Sequence, residues 1–253
     1  MHFHRSMMTT RCLLAIALAA GLGACQPTAS AKPTPAAKPD VPELPPSQRF
    51  EHDVMVRFHM HASFDTVRSI ERLLIRGKLD DARFFARSLS VEPDLPGMSP
   101  WAQQITLVRQ RAAAVAEAPG IDEACRREAK LAEACASCHA DAGAQPEFRP
   151  PPPAPADQPT VAARMARHVW ATDRLWEGMV GDVDEPWAAG LDVIAATPLP
   201  WPDLGADRAG LARQLQQLAN QARHAAPKDL DERARSYGEI LVTCAACHAT
   251  PTK

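Results

Sequence analysis

Residues 230–248, "LDERARSYGEILVTCAACH", combine a helical pattern with a Cys-x-x-Cys-His motif at its end. Apolar and motif side chains recur every three or four positions, which places them along one face of an α-helix. Asp229, followed three residues later by Glu232, is a capping pair that predicts the helix start. The residues on this face are Leu230, Ala234, Tyr237, Leu241, Cys244 and His248.

The same pattern occurs a second time, with each residue 109 positions earlier (244 minus 135). Its members are Ile121, Cys125, Glu128, Ala132, Cys135 and His139. With seven Cys and nine His in 253 residues, a shuffled chain would hold only about 0.007 copies of Cys-x-x-Cys-His. Two copies therefore indicate a shared chemical role.

Two thiols followed directly by an imidazole are the groups that attach haem c, since the thiols bond to the vinyl groups and the imidazole binds iron. We therefore predict two covalently bound haem c groups. The predicted attachment residues are Cys135, Cys138, Cys244 and Cys247, and the predicted iron ligands are His139 and His248. Zinc or a redox dithiol would use the same atoms. A zinc ribbon, however, has its two pairs roughly 15–20 residues apart, and a thioredoxin-like pair needs a βαβ context that the pattern lacks.

The amino-terminal residues have the features of a bacterial export signal. A short apolar segment at 12–24 follows basic residues and is too short to span a bilayer. It ends at Cys25 in a sequence that resembles a lipoprotein processing site. We predict a lipoprotein signal peptide over 1–24, lipidation of Cys25 and a Pro/Ala-rich tether over 25–48. The predicted location is the periplasmic side of the bacterial outer membrane, and the alternative is an ordinary cleaved signal with an incidental cysteine.

A proline-rich linker at 146–159 divides the rest of the chain into two parts. Each part has four amphipathic segments joined by short turns, and each ends in a haem motif. We predict an all-α fold of two tandem four-helix bundles, domain 1 over 49–145 and domain 2 over 160–253, with the motif on the last helix of each. The formal net charge of −2 predicts no basic face, so nucleic acid is not an expected partner.

A haem motif on the last helix of a four-helix unit resembles the class II c-type cytochromes, the cytochrome c′-like group. The resemblance covers residues 47–148 and 160–253. Met165-x-x-His168-Val169 is similar to the Met-x-x-His-Phe pattern on the first helix of that group. The corresponding stretch in the first part is Met60-His61-Ala62-Ser63-Phe64, where Ser63 departs from the His of the pattern.

The resemblance leaves the sixth iron position as the main functional question. An apolar side chain over an open position admits small gases, whereas a bound Met favours electron transfer. Met60 and Met165 are the candidate ligands, and ordinary core packing is the alternative for each. The nearby His59, His61 and His168 are interpreted as surface or propionate-contacting residues, with ligation as the alternative.

The sequence thus predicts a periplasmic dihaem electron carrier and not an enzyme. Its expected partners are other respiratory redox proteins and, through Cys25, the membrane, and the two domains are expected to pack on each other. The alternative is a gas-binding haem protein with an open sixth position. Gly143 and Thr252 weigh against reaction with nitric oxide, because cytochromes c′ typically carry a base there. A dihaem peroxidase is the weakest of the hypotheses, since those enzymes resemble paired class I cytochrome domains, in which the haem motif lies early in each domain.

Overall fold

The computed structural model of the chain describes residues 46–94, 98–197, 204–224 and 229–249. The predicted signal peptide, Cys25 and most of the predicted tether lie outside these ranges. Within them, each helix is either too short or too polar to cross a bilayer.

Helices account for all the regular structure in the described ranges, which contain eight α-helices, one 3-10 turn and no strand. The prediction of an all-α fold is confirmed. The helices are α1 (Pro46–Ile75), α2 (Leu79–Ser90), α3 (Ala102–Ala116), α4 (Ile121–Ala142), α5 (Val161–Val180), α6 (Asp184–Ala196), α7 (Ala206–His224) and α8 (Leu230–Ala249), and the 3-10 turn is Ser99–Trp101.

Side-chain caps and a left-handed glycine define several helix ends. The Asp229 carboxylate accepts hydrogen bonds from the backbone N–H groups of Asp231 and Glu232 at 3.0 and 3.4 Å, so the predicted start of α8 is confirmed. Thr160 caps α5 in a similar way. Helix α4 ends at Gly143, whose φ of 63° lies in the left-handed region that glycine adopts without strain.

The helices pack in chain order. Contacts join α1 to α2, α2 to α3 and α3 to α4, and the same succession runs from α5 to α8. Helices α1 and α5 each contact both α4 and α8. The two groups of four helices meet mainly where α4 packs along α8.

Helices α4 and α8 run antiparallel. Arg126 Nε of α4 lies 2.7 Å from Glu239 Oε1 of α8. Lys130, one turn later on α4, contacts Asp231, two turns earlier on α8. Residue numbers therefore rise along one helix as they fall along the other, and the two Cys-x-x-Cys-His motifs lie at opposite ends of the helix pair.

The apolar face predicted for α8 is buried. Ala234, Tyr237 and Leu241 have at most 1% of their surface exposed. Small residues let the helices approach closely, since a Cβ on Gly238 would lie 3.2 Å from the Cα of Arg126. One hydrophobic core takes side chains from all eight helices, and burying each leucine-sized side chain stabilises the fold by about 1.5–3 kcal/mol. The matching residues of α4, also fully buried, are Cys125, Glu128 and Ala132.

Candidate functional site

The first motif lies in the last two turns of α4. The side chains of Cys135, Cys138 and His139 are half-buried. Burial, together with negative charge on Cys138 and Glu128, raises the pKa of Cys135 to about 12. Burial also raises the pKa of Cys138. Both thiols are therefore protonated at neutral pH.

The imidazole of His139 is oriented by the second half of the chain. Its Nδ1 lies 3.1 Å from the carbonyl oxygen of Val180, the last residue of α5. Because a carbonyl oxygen only accepts hydrogen bonds, Nδ1 carries the proton and donates it to this bond. In the neutral ring Nε2 is then unprotonated, and it is the nitrogen that can bind a metal.

The segment after α4 folds back against the end of α5. Gln145 Nε2 donates a hydrogen bond to the carbonyl oxygen of Gly181 at 3.1 Å. The ring of Phe148 lies 6.1 Å from that of Phe64 on α1, and Phe64 lies 6.0 Å from Trp176 on α5. These aromatic contacts place apolar surface beside the helix end that His139 contacts.

The second motif lies in the last two turns of α8. Cys244 and Cys247 are half-buried, whereas His248 is exposed. Burial raises the pKa of both thiols, that of Cys244 to about 12. The end of α8 lies against the turn after α1, because a Cβ on Gly77 would be 3.8 Å from the Cβ of Ala249. The two motifs thus have similar surroundings: His139 contacts the last residue of α5, and Ala249, which follows the second motif, lies against the turn after α1.

Two arginines lie near His248. Desolvation lowers the pKa of His248, and the positive charges of Arg208 on α7 and Arg76 just after α1 lower it further. His248 is therefore neutral at pH 7, which is the form that binds metals. The sequence pattern did not single out these arginines, because nothing in it distinguishes them from the other arginines on helix surfaces.

The predicted sixth ligands, Met60 on α1 and Met165 on α5, are half-buried. His168 lies one turn after Met165, and burial lowers its pKa to about 4. The positive charge of Arg167 acts in the same direction, as does that of His248 when it is protonated. His168 therefore lies near the second motif. From the sequence, the one indication of this position was that His168 follows the candidate ligand Met165 by one helical turn.

In the described ranges, no group of three or more His, Cys, Asp and Glu side chains converges as the ligands of a metal ion would. Each motif instead supplies two thiols and one imidazole. This set suits a group that is bonded through both thiols and ligated by one imidazole, as haem c is. Comparison with known protein families, curated proteins and solved structures finds no match to this chain.

Proposed function

We propose that the chain is a c-type cytochrome that carries two covalently bound haem c groups and transfers single electrons. The observation that carries the proposal is the repeated donor set at the ends of α4 and α8. A histidine whose Nδ1 donates to a carbonyl presents Nε2 to iron, and His139 has this arrangement. The proposed attachment residues are Cys135, Cys138, Cys244 and Cys247, with His139 and His248 as iron ligands.

The thiol chemistry favours haem attachment over redox exchange. A redox-active Cys-x-x-Cys pair has a lowered thiol pKa, because the thiolate is the attacking group. Burial instead raises the pKa of Cys135 and of Cys244 to about 12. Zinc also binds thiolates, so the same surroundings disfavour a structural zinc site.

The finer fold that we propose is two four-helix bundles, α1–α4 and α5–α8, each with its haem on the last helix. The order of helix contacts within each group supports this division. The linker at 146–159 would join the two bundles. It contains no helix, and Trp170 Nε1 donates a hydrogen bond to the carbonyl oxygen of Pro152 at 2.8 Å. This division and the position of the motifs also support the resemblance to class II cytochromes.

We propose Met60 and Met165 as the sixth iron ligands. A Met ligand closes the iron to gases and raises the potential. The position of His168 near His248 makes His168 the competing candidate at the second haem. An open sixth position would instead favour the gas-binding alternative.

When bound, haem c supplies a one-electron iron couple. The chain's own residues would hold it through thioether bonds, orient the His139 ring through Val180 and exclude water with the buried faces of α4 and α8. The proposed setting is the periplasmic side of the outer membrane, with a lipid anchor at Cys25. The proposed partners are other respiratory redox proteins, and no separate chemical reaction is proposed.

Expression of the full chain in a bacterium with a haem c maturation system tests the proposal. We expect two haem groups per chain that stay attached after denaturation. The double variants Cys135→Ala/Cys138→Ala and Cys244→Ala/Cys247→Ala should each keep one, and Cys125→Ala, the matched control, should keep two. A chain that retains no haem would contradict the proposal. Ready uptake of carbon monoxide by the reduced protein would support the gas-binding alternative.

A further inference from the structure

Two glutamates, Glu71 of α1 and Glu128 of α4, lie in the interior of the protein with no exposed surface. Glu71 is well partnered: Arg68 contacts one of its carboxylate oxygens and the Tyr237 hydroxyl donates to the other. Arg68 also contacts Asp173 of α5. The negative charge of Glu71 is therefore balanced inside a buried network that draws on α1, α5 and α8.

Glu128 has no comparable network. Within the described part of the chain, no group donates a hydrogen bond to either of its carboxylate oxygens. An ionised carboxylate that is buried without a partner is strongly unfavourable. Burial raises the pKa of Glu128 well above its ordinary value, the charge of Glu71 raises it further, and Arg68 opposes both effects. Burial and the charge of Glu71 therefore favour the protonated form of Glu128, whereas the charge of Arg68 favours the ionised form.

Glu128 lies midway between the two motifs. It precedes Cys135 by seven residues, as Tyr237 precedes Cys244 by seven residues. The ion pair between Arg126 and α8 sets the antiparallel register that brings Glu128 level with Tyr237. At 1.5 Å per residue, Cys135 lies roughly 10 Å from Glu128 along α4, and Cys244 lies the same distance from Tyr237 along α8. Because the helices are antiparallel, the two cysteines lie in opposite directions from the Glu128–Tyr237 level.

We propose that Glu128, together with Glu71, forms a proton-binding site that is linked to electron transfer, an inference that rests on the proposed haem function. In the oxidised holoprotein the positive charge on ferric iron would favour ionised Glu128; when an external one-electron donor reduces the iron, that charge is removed and the protonated carboxyl is favoured. The Glu128 carboxylate then takes one proton from solvent and forms an O–H bond. Oxidation by an electron acceptor returns the proton to solvent. One electron and one proton enter or leave together, and no other bond changes.

The ionisable groups around the pair come from four helices. They are Arg68 and Arg72 of α1, Cys125 and Cys135 of α4, Asp173 of α5, and Tyr237 and Cys244 of α8. In the holoprotein Cys135 and Cys244 would be thioethers, which do not titrate; burial raises the pKa of the Tyr237 phenol and of the Cys125 thiol, so these two groups stay protonated near neutral pH. The arginines stay charged. The two glutamates are therefore the fully buried groups of this set whose protonation can follow the redox state.

The test is a spectroelectrochemical titration of the holoprotein at several pH values. We expect the midpoint potential of at least one haem to fall as pH rises, by up to about 59 mV for each tenfold fall in proton concentration. The redox-difference infrared spectrum should contain a carboxylic-acid carbonyl band. Both signals should disappear in Glu128→Gln, whose amide does not titrate in this pH range. Glu123→Gln is the matched control and should keep both, because Glu123 is a half-exposed acid of the same helix, paired with Arg127.

Potentials that do not vary with pH in the wild-type protein would overturn the proposal. So would a pH dependence and a carbonyl band that both persist in Glu128→Gln, as expected if haem propionates were the titrating groups. Glu128→Met is the second variant if Glu128→Gln does not fold. A measurement of haem content separates the two proposals: absence of attached haem refutes the proposed function, whereas two attached haems with pH-independent potentials refute only the proton site.

Discussion

The hydroxyl group of Tyr237 on α8 donates a hydrogen bond to the carboxylate of Glu71 on α1, across 166 positions of sequence. Neither residue has exposed surface, and Arg68 contacts the other oxygen of Glu71. This buried polar contact joins the two halves of the chain. Because a carboxylate that loses a partner in the interior is costly, the contact favours one relative position of α1 and α8.

Removal of this hydroxyl should destabilise the protein. In Tyr237→Phe, we expect the free energy of unfolding to fall by about 1–3 kcal/mol, because the buried carboxyl group of Glu71 loses a donor that water does not replace. Urea unfolding followed by circular dichroism measures the change. The control is Thr243→Val, since in the described part of the chain the Thr243 hydroxyl donates to the Glu239 carbonyl of the same helix, and the substitution should cost less than about 1 kcal/mol. Equal decreases in the free energy of unfolding in the two variants would show that the bond between Tyr237 and Glu71 stabilises the protein no more than a bond within one helix does.

The contact between α5 and α6 depends on a glycine. A Cβ on Gly178 would lie 2.7 Å from the backbone nitrogen and the Cβ of Trp187. Gly178→Ala should therefore lower the free energy of unfolding by about 1–3 kcal/mol through overpacking. Gly210→Ala on α7 is the control: nothing lies within 4 Å of a Cβ there, and the variant should gain about 0.5–1 kcal/mol from helix propensity. Thermal unfolding compares them, and a Gly178→Ala protein as stable as wild type would contradict this packing.

The number of free thiols should report haem attachment. The chain has seven Cys; Cys12 would leave with the signal peptide, Cys25 would carry lipid and four would form thioethers. Cys125 would then be the single free thiol. It is fully buried, and burial raises its pKa, so we expect no reaction with a thiol reagent in the native protein. After denaturation one thiol per chain should react, whereas a chain without haem would expose Cys125 and the four motif cysteines.

The spin state of the irons should identify the sixth ligands. If Met60 and Met165 bind iron, then Met60→Ala and Met165→Ala should each convert one haem to a high-spin form that binds carbon monoxide. Optical and electron paramagnetic resonance spectra measure this change. Met98→Leu is the control, because Met98 is a buried core methionine outside α1 and α5. A high-spin second haem in His168→Ala but not in Met165→Ala would assign the ligand to His168.

Stability should fall as pH rises above the ordinary carboxyl pKa of 4.5. The folded protein raises the pKa of Glu128, so between 4.5 and the raised value the folded state binds more protons than the unfolded state. The contribution to stability is therefore full below 4.5 and decreases by up to about 1.4 kcal/mol per pH unit above it. Urea unfolding at several pH values measures the slope. Glu128→Gln should flatten it and Glu123→Gln should not; an unchanged slope in Glu128→Gln would mean that another group titrates.

Much of the local structure could be predicted from the pattern of residues. The repeat placed Cys135 and Cys244 on matching helix faces, and Asp229 marked the start of α8. The surroundings of the motifs could not be predicted in this way. The bond from His139 to Val180 and the charges near His248 come from helices that are distant in sequence, and helical periodicity carries no information about which helix covers a face.

The sequence by itself determined the helices, their apolar faces and the two Cys-x-x-Cys-His motifs, because each depends on spacings within one turn or two. Only the tertiary structure decided that α4 and α8 run antiparallel, that His139 contacts the end of α5 and that the end of α8 lies against the turn after α1. It also decided that Glu71 has hydrogen-bond partners, whereas Glu128 has none among the residues that the structure describes. The physical reason is that a buried acid is stabilised by the groups that surround it in space, and in this protein those groups come from opposite halves of the chain.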